Sequence, residues 1–131
     1  MNEEKTTALL RAATSAFASG DLATAVEAFS EDIVWKVPGS SAVAGTYEGR
    51  EGLARFFGLV MEKTAGTATL ELEKILVNDP HSVHFIRLQA ERDGEHYAFT
   101  VANFGEQGDD GRVRRLWFLP DDLGAHDRLF A

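Results

Sequence analysis

The stretch Ile33–Phe57, IVWKVPGSSAVAGTYEGREGLARFF, decides the architecture. Ile33-Val34-Trp35-Lys36-Val37 is β-branched and aromatic, which favours a short strand. Pro38-Gly39 stops it. Ser40 to Gly49 reads as a loop of small residues. Arg50 to Lys63 then returns to helical period, with Leu53, Phe56, Phe57 and Val60 on one face. Ahead of this stretch the pattern is helical; after it the pattern is almost entirely that of strands.

Upstream, Glu4 to Ser19 places Leu9, Ala13, Ala16 and Phe17 on one stripe of a helix, with Thr6 or Thr7 as its cap. Gly20 suits the left-handed position that ends such a helix. Asp21 is a good N-cap for a second helix carrying Leu22, Ala25, Val26 and Phe29 at i, i+3, i+4 and i+7. Downstream, Leu70 and Leu72 alternate with Glu71 and Glu73, and this strand runs to the turn Asn78-Asp79-Pro80. Ser82 to Arg92 is the next strand. Asp93-Gly94 is a two-residue hairpin signal, because both central positions of that turn need positive φ. Glu95 to Phe104 is the third strand, Gly105 to Gly111 a polar turn, and Arg112 to Leu119 the fourth. Pro120 ends it, leaving a tail from Asp121 to Ala131.

Three helices ahead of an antiparallel meander imply an α+β fold, with N-terminal helices packed on a curved, mostly antiparallel sheet. Such a cone has an open end that forms a ligand cavity. The 131 residues fit one domain, 1–131, that buries roughly two thirds of its unfolded surface. The last strand places Val113 and Trp117 on one side and Leu116 and Phe118 on the other. Apolar residues on both faces predict a homodimer formed through the outer sheet face.

Composition excludes several classes. A net charge of −8, with Arg112, Arg114 and Arg115 as the one tight basic group, argues against a nucleic-acid backbone or an anionic membrane surface as partner. The chain has no cysteine, which removes disulfides and thiolate chemistry. No apolar run approaches the ~20 residues of a membrane span, and the start Asn2-Glu3-Glu4 lacks a signal-peptide pattern. A cytoplasmic setting is expected.

The layout resembles the nuclear-transport-factor-like superfamily, which includes ketosteroid isomerase, and is most similar to its SnoaL-like branch, whose founding members are polyketide cyclases. The resemblance is carried by Gly20-Asp21, Val34-Trp35-Lys36-Val37-Pro38-Gly39-Ser40 and Ala44-Gly45-Thr46-Tyr47-Glu48-Gly49-Arg50. Phe56-Phe57, Asp110-Gly111-Arg112-Val113 and the tail residues Trp117, Asp122, Ala125, Asp127 and Phe130 complete it. It covers nearly the whole chain and implies a cystatin-like roll. The isomerase mechanism requires a carboxylate base and an oxyanion hole of a tyrosine and a protonated aspartate. The resemblance puts the base position at Val37, the tyrosine near Ala13 and the second aspartate at Ala102 or Asn103. Those roles are unfilled, so steroid isomerisation is not expected. The limonene epoxide hydrolase branch uses an Asp–Arg–Asp set, for which Arg87 is the candidate arginine without a clear aspartate partner.

The candidate polar set is therefore His84, Asp122, Tyr47 and Asn103. His84 is the best general base by intrinsic pKa. Tyr47 is either placed to meet a ligand carbonyl at the mouth or is a loop anchor packed on the helices. Asn103 is a polar residue in an apolar strand, and a buried amide needs a partner. Asp122 is either a base at the cavity edge or the cap of a following turn. Trp35, Val37, Phe56, Phe57, Arg87 and Trp117 are the candidate ligand contacts. No histidine pair has metal-ligand spacing, so neither a metal nor another cofactor is expected. Two functions remain open: an acid–base isomerase, cyclase or hydrolase acting on a small apolar organic molecule, or a non-catalytic ligand-binding or assembly module of the same fold.

Overall fold

Helix α1 (Asn2–Ala18) buries Thr6, Leu10, Ala13, Ala16 and Phe17. Its stripe differs from the expected one at Leu9, which is half-buried. Leu10, four residues after Thr6 and three before Ala13, holds the inner line instead. Neither Thr6 nor Thr7 caps the helix. The Thr6 hydroxyl donates to the Gly111 carbonyl at 2.6 Å, fastening α1 to a distant turn, and Thr7 donates to Glu3 within the helix. The computed structural model describes residues 2–131.

Gly20 takes φ +80°, and the Asp21 carboxylate accepts from Thr24 N at 3.1 Å. The helix it caps is one turn long, α2 (Leu22–Ala25), followed by a 3-10 turn over Val26–Ala28. Phe29 is thus not helical but opens strand β1 (Phe29–Val37). Its helical spacing is overridden by pairing: Phe29 lies opposite Val113, and the Arg50 guanidinium donates twice to the Phe29 carbonyl at 2.9 and 2.8 Å.

The expected loop after Gly39 contains a short strand, β2 (Gly45–Glu48), paired antiparallel to β1 with Trp35 opposite Tyr47. Helix α3 (Gly49–Lys63) buries Leu53, Phe56, Phe57 and Val60, as its period predicts. Four strands follow: β3 (Thr69–Asn78), β4 (His81–Arg92), β5 (Glu95–Gln107) and β6 (Val113–Pro120). The hairpin between β4 and β5 has Asp93 at φ +53° and Gly94 at φ +80°, the conformations its sequence demands. The six strands run in the order β2-β1-β6-β5-β4-β3. Among the described residues only the β1–β6 pair is parallel.

Strand β5 extends three residues past its expected end. A bulge opposite Gln107 then changes the facing of β6, because Glu106 pairs with Arg115 and Gln107 with Val113. Val113 is accordingly fully buried with Leu116 and Phe118, and does not share the outer face with Trp117. The C-terminal tail forms a fourth helix, α4 (Leu123–Leu129). Helices cover one face of the sheet, its concave side, and among the described residues no helix covers the other, convex side. No helix among the described residues is long and apolar enough to cross a membrane.

Candidate functional site

Trp35, on the inner side of β1, is the centre of the concave face. Its ring lies 5.5 Å from Phe29, 5.3 Å from Phe56, 5.9 Å from Phe57 and 6.3 Å from Phe118. These rings are held by β1, α3 and β6, yet they do not close completely. A cavity of about 60 Å³ remains between α1, α3, α4 and the sheet. Thr14 and Leu70 are its half-buried wall members and the rest of the lining is buried. Among the described residues the lining contains no Asp, Glu, Lys or Arg.

Its polar groups are few. His84 and Asn103 face each other across the β4–β5 ladder, which brings opposed side chains within about 5 Å at Cβ. Both are buried. Burial pushes His84 down to about 4, so its imidazole is neutral at pH 7. The indole Nε1 of Trp35 and the amide Oδ1 of Asn103 are buried without a hydrogen-bond partner. Of the two positions that the isomerase resemblance sets against an aspartate, Ala102 faces outward and Asn103 inward.

Trp35, Phe56, Phe57, His84 and Asn103 therefore meet at the cavity, whereas the other five candidates do not. Tyr47 is a buried anchor whose hydroxyl donates to the Val43 carbonyl at 2.8 Å. Its ring packs against Phe56 and beneath the Arg55 guanidinium. Burial raises its pKa, against an opposing effect of Arg55. Val37 is core, clear of the cavity wall. Arg87 and Trp117 lie on the convex face, because strand alternation sends them opposite to Ile86, Leu88 and Phe118. Asp122 is the exposed N-cap of α4 and accepts from Ala125 N at 3.0 Å. Among the described residues no cluster of three or more His, Asp or Glu side chains could hold a metal ion.

The residue missed by the sequence reading is His126. Helix α4 carries it and Phe130 into the cavity wall. The imidazole is 1% exposed, lies 5.5, 5.4 and 4.7 Å from the rings of Phe99, Phe118 and Phe130, and has no partner for Nδ1. Burial lowers it to about 4, against an opposing effect of Asp127. The signal was present as an Asp cap ahead of His126, Leu129 and Phe130, spaced i, i+3, i+4. This helix comes close to Gly39. Its φ is +99°, and a Cβ there would collide with Asp127, whose carboxylate accepts from Ser40 N and Oγ at 3.1 and 3.3 Å. On the other side Arg92 donates to the carbonyls of Leu129 and Ala131 at 2.7 and 2.8 Å.

The sequence profile of the SnoaL-like domain matches residues 10–116. An uncharacterised protein of Mycobacterium tuberculosis (strain ATCC 25618 / H37Rv) is 34% identical over 138 residues, covering 100% of both chains. Among solved structures, Bal32a from a soil-derived mobile gene cassette is 31% identical with a TM-score of 0.92, covering 100% of each chain. A protein of unknown function with a cystatin-like fold from Xanthomonas campestris superposes with a TM-score of 0.85 at 19% identity, over 96% of this chain and 98% of that one.

Proposed function

The chain belongs to the SnoaL-like domain family, and we propose that it binds a small, neutral, largely apolar organic molecule in the cavity under Trp35. The observation that carries this reading is a buried polar pair, His84 and Asn103, on an otherwise apolar wall without charged side chains. A charged ligand would be desolvated there without a counter-ion, at a cost of several kcal/mol. Size narrows the choice. About 60 Å³ is room for a few waters at ~10–15 Å³ each, and less than the ~150 Å³ of a cavity that takes up benzene. The occupant is a single ring or smaller, and a ring enters by displacing side chains near Thr14 and Leu70.

Binding without chemistry is favoured over acid–base catalysis by the histidine itself. A base near 4 is poorly matched to proton abstraction at neutral pH, and no lining carboxylate stands in for it among the described residues. The enzyme reading keeps one support, a neutral His84 in the wall. Its consequence is testable: His84→Gln would abolish turnover of any substrate found.

The binding reading is tested on the ¹⁵N-labelled chain with toluene, phenol and cyclohexanone. The expected result is movement of the Trp35 indole signal with that of Trp117 unmoved. Asn103→Leu, close in volume, should weaken phenol, whose hydroxyl can donate to the amide oxygen, about tenfold, one hydrogen bond's worth, and leave toluene less affected. If no probe moves Trp35 at millimolar concentration, the cavity is not a ligand site.

We further propose that two copies pair through the convex face, where Leu76, Phe104 and Leu119 are 48%, 42% and 48% exposed. Phe104 and Trp117 rings lie 5.8 Å apart there, with Lys36 Nζ 5.9 Å from the Trp117 ring. The expected solution mass is twice 14.3 kDa, falling to one copy in Phe104→Glu/Leu119→Glu. A wild-type monomer at micromolar concentration rules the pairing out.

A further inference from the structure

Three residues of the cavity lining each carry a buried polar atom without a protein partner, and the three atoms are chemically complementary, not alike. Trp35 Nε1 carries a hydrogen and can only donate; Asn103 Oδ1 can only accept; His126 Nδ1 is on a neutral ring and can do either. All three residues are nearly inaccessible, at 3%, 1% and 1% exposure. Leaving such atoms unpaired costs about 1–3 kcal/mol each. A fold of this size tolerates that where ordered water, or a ligand that displaces it, completes the bonds. Packing of the phenyl rings does not explain His126, because phenylalanine would fill an aromatic cage without an orphaned nitrogen. Nor is the helix that bears it loosely placed. Asp127 on Ser40, Arg92 on Leu129 and Ala131, and Ala42 N on the Phe130 carbonyl at 2.9 Å hold α4 from both sides.

We infer that His126 is a ligand-contacting residue, and that Trp35, Asn103 and His126 together select a neutral hydroxyl compound over an ether or hydrocarbon of the same shape. This rests on the cavity being a ligand site and specifies that ligand's chemistry. A hydroxyl can accept from the Trp35 indole and donate to Asn103 Oδ1 or His126 Nδ1; a ketone or ether satisfies only the donor side. No covalent step is involved.

The test compares phenol with anisole on the intact chain at pH 7.5, where phenol is uncharged. Binding is followed through the Trp35 indole and the His126 ring-nitrogen signals. Phenol is expected to move both and to bind at least tenfold more tightly than anisole. His126→Phe, which keeps the ring packing, should reduce that preference severalfold, with phenol losing more affinity than anisole. Should this variant not fold, the wild-type comparison and the His126 nitrogen shift still decide the matter. Equal binding of phenol and anisole, or a His126 signal that phenol leaves in place, overturns the inference and leaves the ligand site standing. If neither compound moves Trp35, the cavity reading itself fails, and the inference with it.

Discussion

Lowering the pH from 6.5 to 4 is expected to remove about 3 kcal/mol of folding stability for each of two buried histidines. Burial holds His84 and His126 at about 4 in the folded chain, against the usual ~6.5 once unfolded. The sign follows from which state takes the proton first. As pH falls through 6.5 the unfolded chain protonates and the folded one does not, so the contribution is full above 6.5 and is lost progressively down to 4. Two such groups together approach the whole net stability of an ordinary domain, about 5–15 kcal/mol. Relief of repulsion within a net charge of −8 works the other way. Exposed charges, however, contribute well under ~1 kcal/mol each. Urea midpoints measured from pH 7.5 to 4.5 should fall steeply, and His84→Leu and His126→Phe should each flatten the slope by about one proton. A midpoint that stays constant across this range would mean that both imidazoles are charged in the native state.

Trp35→Ala is expected to destabilise the fold by about 3–5 kcal/mol, the range for removing a large buried aromatic. That lowers the thermal midpoint by on the order of 10 °C. Trp35 is 3% exposed and touches rings from β1, α3 and β6 at once, so its loss opens a void that three elements cannot close together. Trp117, half-buried on the convex face, supplies the contrast. At a concentration where the chain is monomeric, Trp117→Ala should cost about 1 kcal/mol. Chemical denaturation of both variants at pH 7.5 checks this. Equal losses at the two positions would show that the aromatic cluster around Trp35 is not the organising core.

Much of the fold was legible because local signals and tertiary contacts agreed. Asp21 caps as read, Asp93-Gly94 turns as read, and α3 buries the four residues its period names. Reading failed where long-range pairing overrode a local pattern. Phe29 has helical spacing with Leu22, Ala25 and Val26, yet β6 and Arg50 draw it into a strand. Gly45–Glu48 looks like loop until β1 offers it an edge. Val113 changes face because a bulge shifts its register, and no composition rule announces which residue of a hairpin will be extra.

The site divides along the same line. By itself the sequence determined an α+β roll with helices ahead of a meander, a polar position at Asn103 and a candidate cavity histidine at His84. These follow from period, turn chemistry and residue type, which act over a few neighbouring residues. Only the tertiary structure decided which residues share the cavity. It sent Arg87 and Trp117 to the convex face, committed Tyr47 to Val43 and Asp122 to a helix cap, and brought His126 in from the tail. The physical reason is that a strand's two faces are equivalent until helices cover one. His126 and Trp35 are 91 residues apart in the sequence, and no local pattern links them. They line one cavity because α4, fastened by Asp127 on Ser40 and by Arg92 on Leu129 and Ala131, carries His126 against Phe118.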